Sequence, residues 1–285
     1  HDFIIGAPYA DRNTASGTLL GTGQAYLVFG SSYPLPNLTS LNGTNGFLLK
    51  GLLEYDRSGW SVATAGDING DGFDDFLVGT PVDDLSVTAG IGKAYVVYGK
   101  GTAFSPTVNL WELSGSSGFQ LFGLAASDHL GTAVNSVGDL NGDGFDDLAV
   151  SSPYADPSGL VGAGTGYIIF GGTNPAQGVN QLDGTNGFRV NGGLPHERAG
   201  FSISSAGDFN GDGFDDLLVG APGDRNNPWD YDTANPAGSG VAYVIYGKAS
   251  GFSASINLRS LDGSGNGFSI TGIDGTVVAG VDGVD

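Results

Sequence analysis

Cysteine and methionine are both missing from this chain of 285 residues, and basic residues are scarce. Without cysteine the protein has no disulfides and no thiol chemistry. No apolar stretch reaches the length of a membrane-spanning helix, and no signal peptide is visible. Because a translation product starts with methionine, we expect the chain to be a processed product or a piece of something longer.

The shortage of basic residues leaves the chain strongly acidic. Lysine and arginine together number 10 against 30 aspartates and glutamates, which gives a formal net charge of −20. Such a chain repels the nucleic-acid backbone and anionic lipid surfaces. We therefore expect no nucleic-acid partner and no membrane insertion.

One phrase occurs three times with little change: DINGDGFDDFLVGTP from Asp67, DLNGDGFDDLAVSSP from Asp139 and DFNGDGFDDLLVGAP from Asp208. Each copy places side-chain oxygens at alternate positions, then a glycine where the chain must bend, a backbone carbonyl and a last carboxylate. Hard oxygen donors in this number select calcium. We predict about three Ca²⁺ ions. The predicted ligands, with phenylalanine acting through its carbonyl, are Asp67, Asn69, Asp71, Phe73, Asp75, Asp139, Asn141, Asp143, Phe145, Asp147, Asp208, Asn210, Asp212, Phe214 and Asp216.

A plain hairpin turn also favours Asp, Asn and Gly without any metal. Three copies in register favour the metal site, because each holds four aspartates whose mutual repulsion costs stability unless it is neutralised. An EF-hand starts similarly but needs a longer loop, a final glutamate and flanking helices. Here a short apolar run follows each loop, so we expect the loop to join two strands. The eighth residues, Asp74, Asp146 and Asp215, are expected to point away from the metal.

Other landmarks recur with the loops at a period of about seventy residues. Turns of the GAP type start at Gly6, Gly79, Ser151 and Gly220, and an aromatic strand and a strand with a GF start follow each of them. A further strand precedes each loop, which gives four strands per repeat. Four-stranded antiparallel sheets repeated at this period are the blades of a β-propeller. We predict an all-β fold, a β-propeller with about four such units in this chain.

The order of GF or GW pairs, DxNxDGxxD loops and GAP turns resembles that of the FG-GAP repeat proteins, whose blades also form the propeller of integrin α-subunits. The resemblance covers almost the whole chain, and the longer units look more like bacterial secreted repeats. It implies that the three loops hold calcium on one face of the propeller. Other loops would then form a binding face.

A single propeller is expected over residues 1–285. Its units are expected at about 1–51, 52–123, 124–192 and 193–272, with the start of a further or ring-closing strand at 273–285. Either the two ends pair to close a four-bladed ring, which we favour within a longer parent chain, or the chain is a segment of a larger ring. A degenerate fourth loop from Asp282, Asp285 and Asp2 is not counted as a site.

The leading interpretation is a calcium-stabilised, adhesin-like structural or interaction module, secreted or on the cell surface and without catalysis. Its partner would be a protein or a glycan, or a second copy of the chain. The alternative is a catalytic or accessory domain of a secreted enzyme that acts on glycans or lipids. Against catalysis, the sequence shows no plausible Ser-His-Asp set and no phosphate-cradling loop. His1, His129 and His196 lack zinc spacing, and we expect surface or structural roles for them.

Recognition residues are expected where the repeat is interrupted. Trp229 and Tyr231 lie in RNNPWDYDTANPAGSG, an insertion that lengthens the last unit. Long irregular loops on a rigid scaffold often carry function, so we predict a glycan or protein contact there. The acid and base pairs that precede the first strands, such as Glu197 with Arg198, are interpreted as turn or inter-blade contacts.

Overall fold

The computed structural model describes residues 2–30, 37–81, 91–223, 240–263 and 265–272. The predicted contact residues Trp229 and Tyr231 lie outside these ranges, as do Asp282 and Asp285. The expected closing strand at 273–285 lies outside them as well.

Short strands separated by tight turns make up most of the described chain, as the apolar runs and frequent glycines predict. The first repeat contains β1 (Phe3–Ala7), β2 (Arg12–Thr14), β3 (Gly17–Leu19), β4 (Gln24–Val28) and β5 (Gly46–Lys50). The second contains β6 (Ser61–Gly66), β7 (Asp75–Thr80), β8 (Lys93–Val97), β9 (Thr107–Asn109) and β10 (Gly118–Phe122). The third contains β11 (Val134–Gly138), β12 (Asp147–Ser152), β13 (Thr165–Ile169) and β14 (Gly187–Asn191). The fourth contains β15 (Ser202–Gly207), β16 (Asp216–Ala221), β17 (Val241–Ile245), β18 (Ser255–Asn257) and β19 (Gly267–Thr271).

Helical structure within the described ranges is limited to single 3-10 turns. They lie at Leu38–Ser40, Leu110–Glu112, Gly115–Ser117, Pro157–Gly159, Val179–Gln181 and Leu258–Ser260. None of these described helices has the length and apolar character needed to cross a bilayer.

The strands form four sheets and one small hairpin. In spatial order the sheets are β1-β4-β5-β9, β6-β7-β8-β10, β11-β12-β13-β14-β18 and β15-β16-β17-β19, while β2 pairs with β3. Within each repeat, neighbouring strands are antiparallel; in the second repeat, for example, Val78 lies opposite Val62 on one side and Tyr95 on the other. The second, third and fourth sheets each place the four predicted strands of one repeat side by side.

The hydrophobic core lies between successive sheets. Along β7, Phe76 and Val78 pack in the cluster shared with the first sheet, whereas Leu77 packs in the cluster shared with the third. Along β12, Leu148 belongs to the cluster shared with the second sheet and Ala149 to the one shared with the fourth. Side chains of a strand alternate between the two faces of its sheet. Because these sheets carry apolar side chains on both faces, each face must be covered by a neighbouring sheet.

The first strands of the second, third and fourth repeats lie next to one another. Strand β6 contacts β11, and β11 contacts β15, while β1, which is the counterpart of the second strand β7, contacts β6. Sheets that stack face to face and meet along their first strands are arranged as the blades of a propeller. The predicted all-β propeller of four-stranded blades is confirmed, while the exact unit boundaries stay a prediction.

Two outer strands, which the sequence pattern does not predict, pair with the sheet of the preceding repeat. Strand β9 runs parallel to β5, with Val108 opposite Leu49, and β18 runs parallel to β14, with Ile256 opposite Val190. Each leads into a 3-10 turn whose first leucine is fully buried between the two sheets. These exchanged strands therefore join neighbouring blades at their outer edges.

Candidate metal loops and the opposite cleft

Each repeated loop joins the first and second strands of its sheet. Strand β6 ends at Gly66 and β7 begins at Asp75, and the same gap separates β11 from β12 and β15 from β16. The pairing shifts register shortly before every loop, between Thr64 and Gly66 in the first copy. All three loops therefore connect strands, as predicted, and the helices of an EF-hand have no counterpart here.

The first aspartate of each loop binds the backbone of its own loop. Asp67 Oδ1 accepts hydrogen bonds from the N–H groups of Gly70 (2.8 Å) and Asp71 (3.0 Å), and its Oδ2 accepts one from Gly72 (2.8 Å). The second loop repeats all three bonds and the third repeats two, at 2.7 to 3.0 Å. Gly72 has a φ of 89°, a region that favours glycine, so the bend predicted there is confirmed.

The middle residues of the loop are linked side chain to side chain. Asn69 Oδ1 accepts a hydrogen bond from the N–H of Asp71 (2.9 Å), and its Nδ2 donates to Asp71 Oδ2 (3.2 Å). Asp71 Oδ1 accepts a further bond from the N–H of Phe73 (3.0 Å). The same bonds recur in the other two loops. These contacts hold the alternate oxygen side chains in one curled segment.

The last aspartate of each loop is fully buried: Asp75, Asp147 and Asp216 are all 0% exposed. Asp75 Oδ2 accepts a hydrogen bond from the N–H of Ile68 (3.2 Å), and its Oδ1 accepts one from the N–H of Gly99 (2.7 Å). The counterparts in the second and third loops bind the equivalent N–H groups at 2.8 to 2.9 Å. This carboxylate therefore closes the loop and ties it to the end of the third strand.

Burial makes the ionised form of this last aspartate unfavourable in the protein alone. It raises the pKa of Asp75 to about 7, and the nearby charges of Asp71 and Asp67 act in the same direction. Burial also raises the pKa of Asp147 to about 8, and the pKa of Asp216 is raised for the same main reason. A cation bound in the loop would favour the ionised carboxylate.

In the described ranges, no group of three or more His, Cys, Asp and Glu side chains forms a ready-made metal cage. Many of the carboxylate oxygens in each loop accept hydrogen bonds from backbone N–H groups. The donor set still suits calcium, because each loop offers carboxylate, amide and carbonyl oxygens and neither nitrogen nor sulfur. The identity of the ligands stays a prediction.

The acid that precedes each first strand is buried and caps a turn. Asp56 accepts a hydrogen bond from the backbone N–H three residues before it (3.0 Å), and Asp128 and Glu197 occupy the same place in the next repeats. Glu197 also accepts hydrogen bonds from the hydroxyl of Tyr243 and from Nε of Arg259 (3.0 Å). The expected turn contact is confirmed for all three acids, and the expected inter-blade contact is confirmed for Glu197.

A cleft of about 1190 Å³ opens at the end of the sheets opposite the metal loops. Arg57 and Trp60, which line it, precede strand β6, whereas Asp67 follows that strand. Residues from the second, third and fourth repeats meet there. The polar and aromatic lining includes Arg57, Trp60, His129, Tyr154, Arg189 and Arg198.

Cationic and aromatic side chains pair along this cleft. The guanidinium of Arg57 lies 4.8 Å from the ring centroid of Tyr9, that of Arg198 lies 4.7 Å from Tyr154, and the ring of His129 lies 5.0 Å from Tyr154. Arg57, His129 and Arg198 all have φ values of 55° to 57°, a strained region for residues other than glycine. The sequence showed a base after each acid, but not that these bases line one cleft.

Comparison with known proteins agrees with this geometry. Three segments match the FG-GAP repeat family: residues 58–97, 131–169 and 199–245. Each begins near the cleft, passes through a candidate metal loop and ends at the last residue of the third strand.

Several curated proteins are similar over most of the chain. Integrin alpha-PS5 of Drosophila melanogaster is 33% identical over 74% of this chain, and integrin alpha-V of Gallus gallus is 30% identical over 78% of it. Phosphatidylinositol-glycan-specific phospholipase D of Bos taurus is 32% identical over 69% of it. The chain spans 18%, 18% and 22% of the lengths of these three relatives, in that order.

Proposed function

This protein is an FG-GAP repeat protein with an integrin α-like propeller, and from that premise we propose a calcium-stabilised module that binds a partner outside the cell. In this proposal the module does not catalyse a reaction. Calcium binds in the three repeated loops, and the partner binds at the cleft on the opposite side.

The observation that carries the calcium part of the proposal is the repetition of one loop geometry. Three loops connect the same two strands, and each ends in an aspartate with no exposed surface. Backbone hydrogen bonds compensate part of the cost of burying this carboxylate, and a nearby positive charge would compensate more of it. Calcium would supply the positive charge there, while Asp67, Asn69, Asp71 and their counterparts would supply oxygen donors.

Calcium that binds only the folded chain raises stability by mass action. At a free concentration of about 100 times Kd, one site contributes about 2.7 kcal/mol. For a chain of this size, ~2–4 °C per kcal/mol corresponds to a shift of roughly 5–10 °C per site. We expect a chelator to lower the melting temperature, and excess calcium to restore it.

Single variants separate a loop effect from a general charge effect. Asp143→Asn keeps the shape of a predicted ligand and removes its charge, so it should reduce the calcium-dependent rise in melting temperature by about one site's share. Glu112→Gln removes one charge at an exposed position outside the loops and should leave that rise unchanged. A melting curve that is indifferent to chelator and calcium in the unmodified protein would refute the calcium proposal.

The proposed recognition surface is the cleft. Its lining joins aromatic faces to cationic groups, a combination that suits protein side chains and the faces of sugar rings. Trp60 is 43% exposed, so a large part of its apolar ring can contact a partner. The lining residues come from three repeats, so a partner bound there would contact several blades at once.

Binding screens against glycans and extracellular proteins test this part, with the purified chain itself included as a candidate partner. Trp60→Ala and Tyr154→Ala should weaken the captured interaction, because both rings line the cleft. Phe122→Ala removes another exposed aromatic ring outside the cleft lining and should not. An equal loss of partner affinity in all three variants would show that the interaction does not use the cleft.

Absence of catalysis is also part of the proposal. The similarity to a phospholipase D covers 22% of that protein, so its activity does not transfer to this chain. In the cleft, Asp128 and Asp156 each accept a hydrogen bond from a backbone N–H, which supports a structural use of those acids. Hydrolysis of a glycan or glycolipid panel by the purified protein would reverse this conclusion in favour of an enzyme domain.

A further inference from the structure

In the second and third loops, the eighth residue bonds to the loop of the preceding repeat. Asp146 Oδ2 accepts a hydrogen bond from the N–H of Asp67 (3.1 Å), and Asp215 Oδ2 accepts one from the N–H of Asp139 (2.9 Å). Asp67 and Asp139 are the first predicted ligands of their loops. The sequence predicts that these eighth residues point away from their own metal, and two of them point to the neighbouring loop.

The seventh residue packs on the same neighbouring loop. A Cβ placed on Gly70 would lie 2.3 Å from the ring of Phe145, and one placed on Gly142 would lie 2.3 Å from the ring of Phe214. Real Cβ atoms do not approach other atoms so closely. Each phenylalanine ring therefore covers the fourth position of the preceding loop and requires glycine there.

A backbone hydrogen bond adds a third link between repeats. The N–H of Gly172 donates to the carbonyl of Ile68 (2.8 Å), and the N–H of Lys248 donates to the carbonyl of Leu140 (2.8 Å). Ile68 and Leu140 are the second residues of their loops. The first, second and fourth positions of a loop are thus held by the following repeat, twice with the same geometry.

From these contacts we propose that calcium binding is coupled between adjacent loops, with Asp146 and Asp215 as the coupling residues. The inference rests on the calcium function proposed above. Asp146 lies between Phe145 and Asp147, both predicted ligands, so an ion bound by them fixes its carboxylate. That carboxylate in turn fixes the backbone at Asp67. An ion in one loop therefore raises the affinity of the preceding loop, and by linkage the reverse also holds.

The first loop contains a natural control. Asp74 occupies the same position as Asp146, yet its side chain is exposed and accepts no hydrogen bond from any described residue. Phe73, the counterpart of Phe145, is 44% exposed. Removing Asp74 therefore tests the loss of one acidic side chain in a metal loop without loss of an inter-loop bond between described residues.

Calorimetric titration of the chelator-stripped protein with Ca²⁺ measures the coupling. We expect the unmodified protein to bind with a Hill coefficient above 1. In Asp146→Ala one binding step should weaken about tenfold and the Hill coefficient should fall, because the acceptor for the Asp67 N–H is lost. Asp146→Asn keeps an oxygen acceptor and should recover most of the affinity. Asp74→Ala should match the unmodified protein.

The amide resonance of Asp67 gives a second, local readout. Asp143→Ala disables the second loop, and it should also raise the calcium concentration at which the Asp67 resonance shifts. In the Asp146→Ala background, the same change should have no further effect on Asp67, because the two residues act through one route. Asp215→Ala should have the corresponding effect one loop further along the chain, so that the calcium-dependent shift of the Asp139 amide resonance requires a higher calcium concentration.

The outcomes separate this inference from the calcium function. No calcium binding by the unmodified protein refutes both. Binding of calcium with identical isotherms for Asp146→Ala, Asp74→Ala and the unmodified protein refutes only the coupling. Weakening in Asp146→Ala alone, with rescue in Asp146→Asn, supports the coupling through this hydrogen bond.

Discussion

Glu197 connects the third and fourth sheets at the cleft end of the propeller, and its removal should cost a large part of the stability. Its Oε2 accepts hydrogen bonds from the N–H groups of Gly193 (2.7 Å) and Leu194 (3.1 Å), which follow β14. Its Oε1 accepts bonds from the Tyr243 hydroxyl and Arg259 Nε. Glu197 is 2% exposed, so water does not replace these partners easily.

The expected magnitude follows from the partners that Glu197→Ala leaves behind. An unsatisfied buried donor costs about 1–3 kcal/mol, and the hydroxyl of Tyr243 belongs to a residue with no exposed surface. Breaking a buried ion pair costs about 3–5 kcal/mol, reduced here because the side chain of Arg259 is 27% exposed and reaches water. These effects overlap, so we expect a total loss of about 3–5 kcal/mol.

Urea unfolding in calcium-saturated buffer, followed by tryptophan fluorescence, measures this loss. Tyr243→Phe should cost only about 1 kcal/mol, because it removes the donor and its acceptor keeps other partners. Glu197→Gln should fall between the two, since it keeps oxygen and loses charge. A loss below about 1 kcal/mol in Glu197→Ala, the range of ordinary substitutions, would show that the network around Glu197 does not hold the sheets together.

Two further substitutions test the loops and the core. Gly142→Ala must displace the ring of Phe214, so it should destabilise the protein by about 1–3 kcal/mol more than Gly211→Ala, which has the same loop position and no neighbour within 4 Å in the described chain. Equal melting temperatures for the two variants would contradict the inter-loop packing. Phe188→Ala should cost about 3–5 kcal/mol in urea unfolding, because its fully buried ring stacks on Phe252 at 4.6 Å and leaves a cavity.

The parts of the fold that were predicted are those with strong local signals. The repeated loop motif with Asp, Asn, Asp and Gly forms its own local hydrogen bonds, because Asp67 and Asn69 bond to backbone groups only a few residues away. Apolar runs such as the one after Asp75 are buried on both faces, which made them recognisable as strands. Repetition then gave the architecture, because one blade cannot bury both faces of its sheet alone.

The parts that were missed depend on contacts between repeats. Strands β9 and β18 are three residues long, and a segment such as Ser255–Asn257 carries no pattern that identifies its distant partner. The side chain of Asp146 was expected to leave its own loop, but its acceptor role for Asp67 depends on the position of another blade. The cleft was missed for the same reason, since its residues are distant in sequence and meet only when three repeats stack.

The two proposed sites, the metal loops and the cleft, lie at opposite ends of the first strands, which connect them. Strand β6 is six residues long, so roughly 20 Å separates Arg57 in the cleft from Asp67 in the metal loop. No calcium ligand predicted here reaches the cleft directly. The loops instead bond one repeat to the next, and the cleft is lined by residues from several repeats. In the proposed function, calcium would act on recognition through the relative positions of the blades, and loss of calcium should weaken partner binding most where a partner contacts two repeats at once.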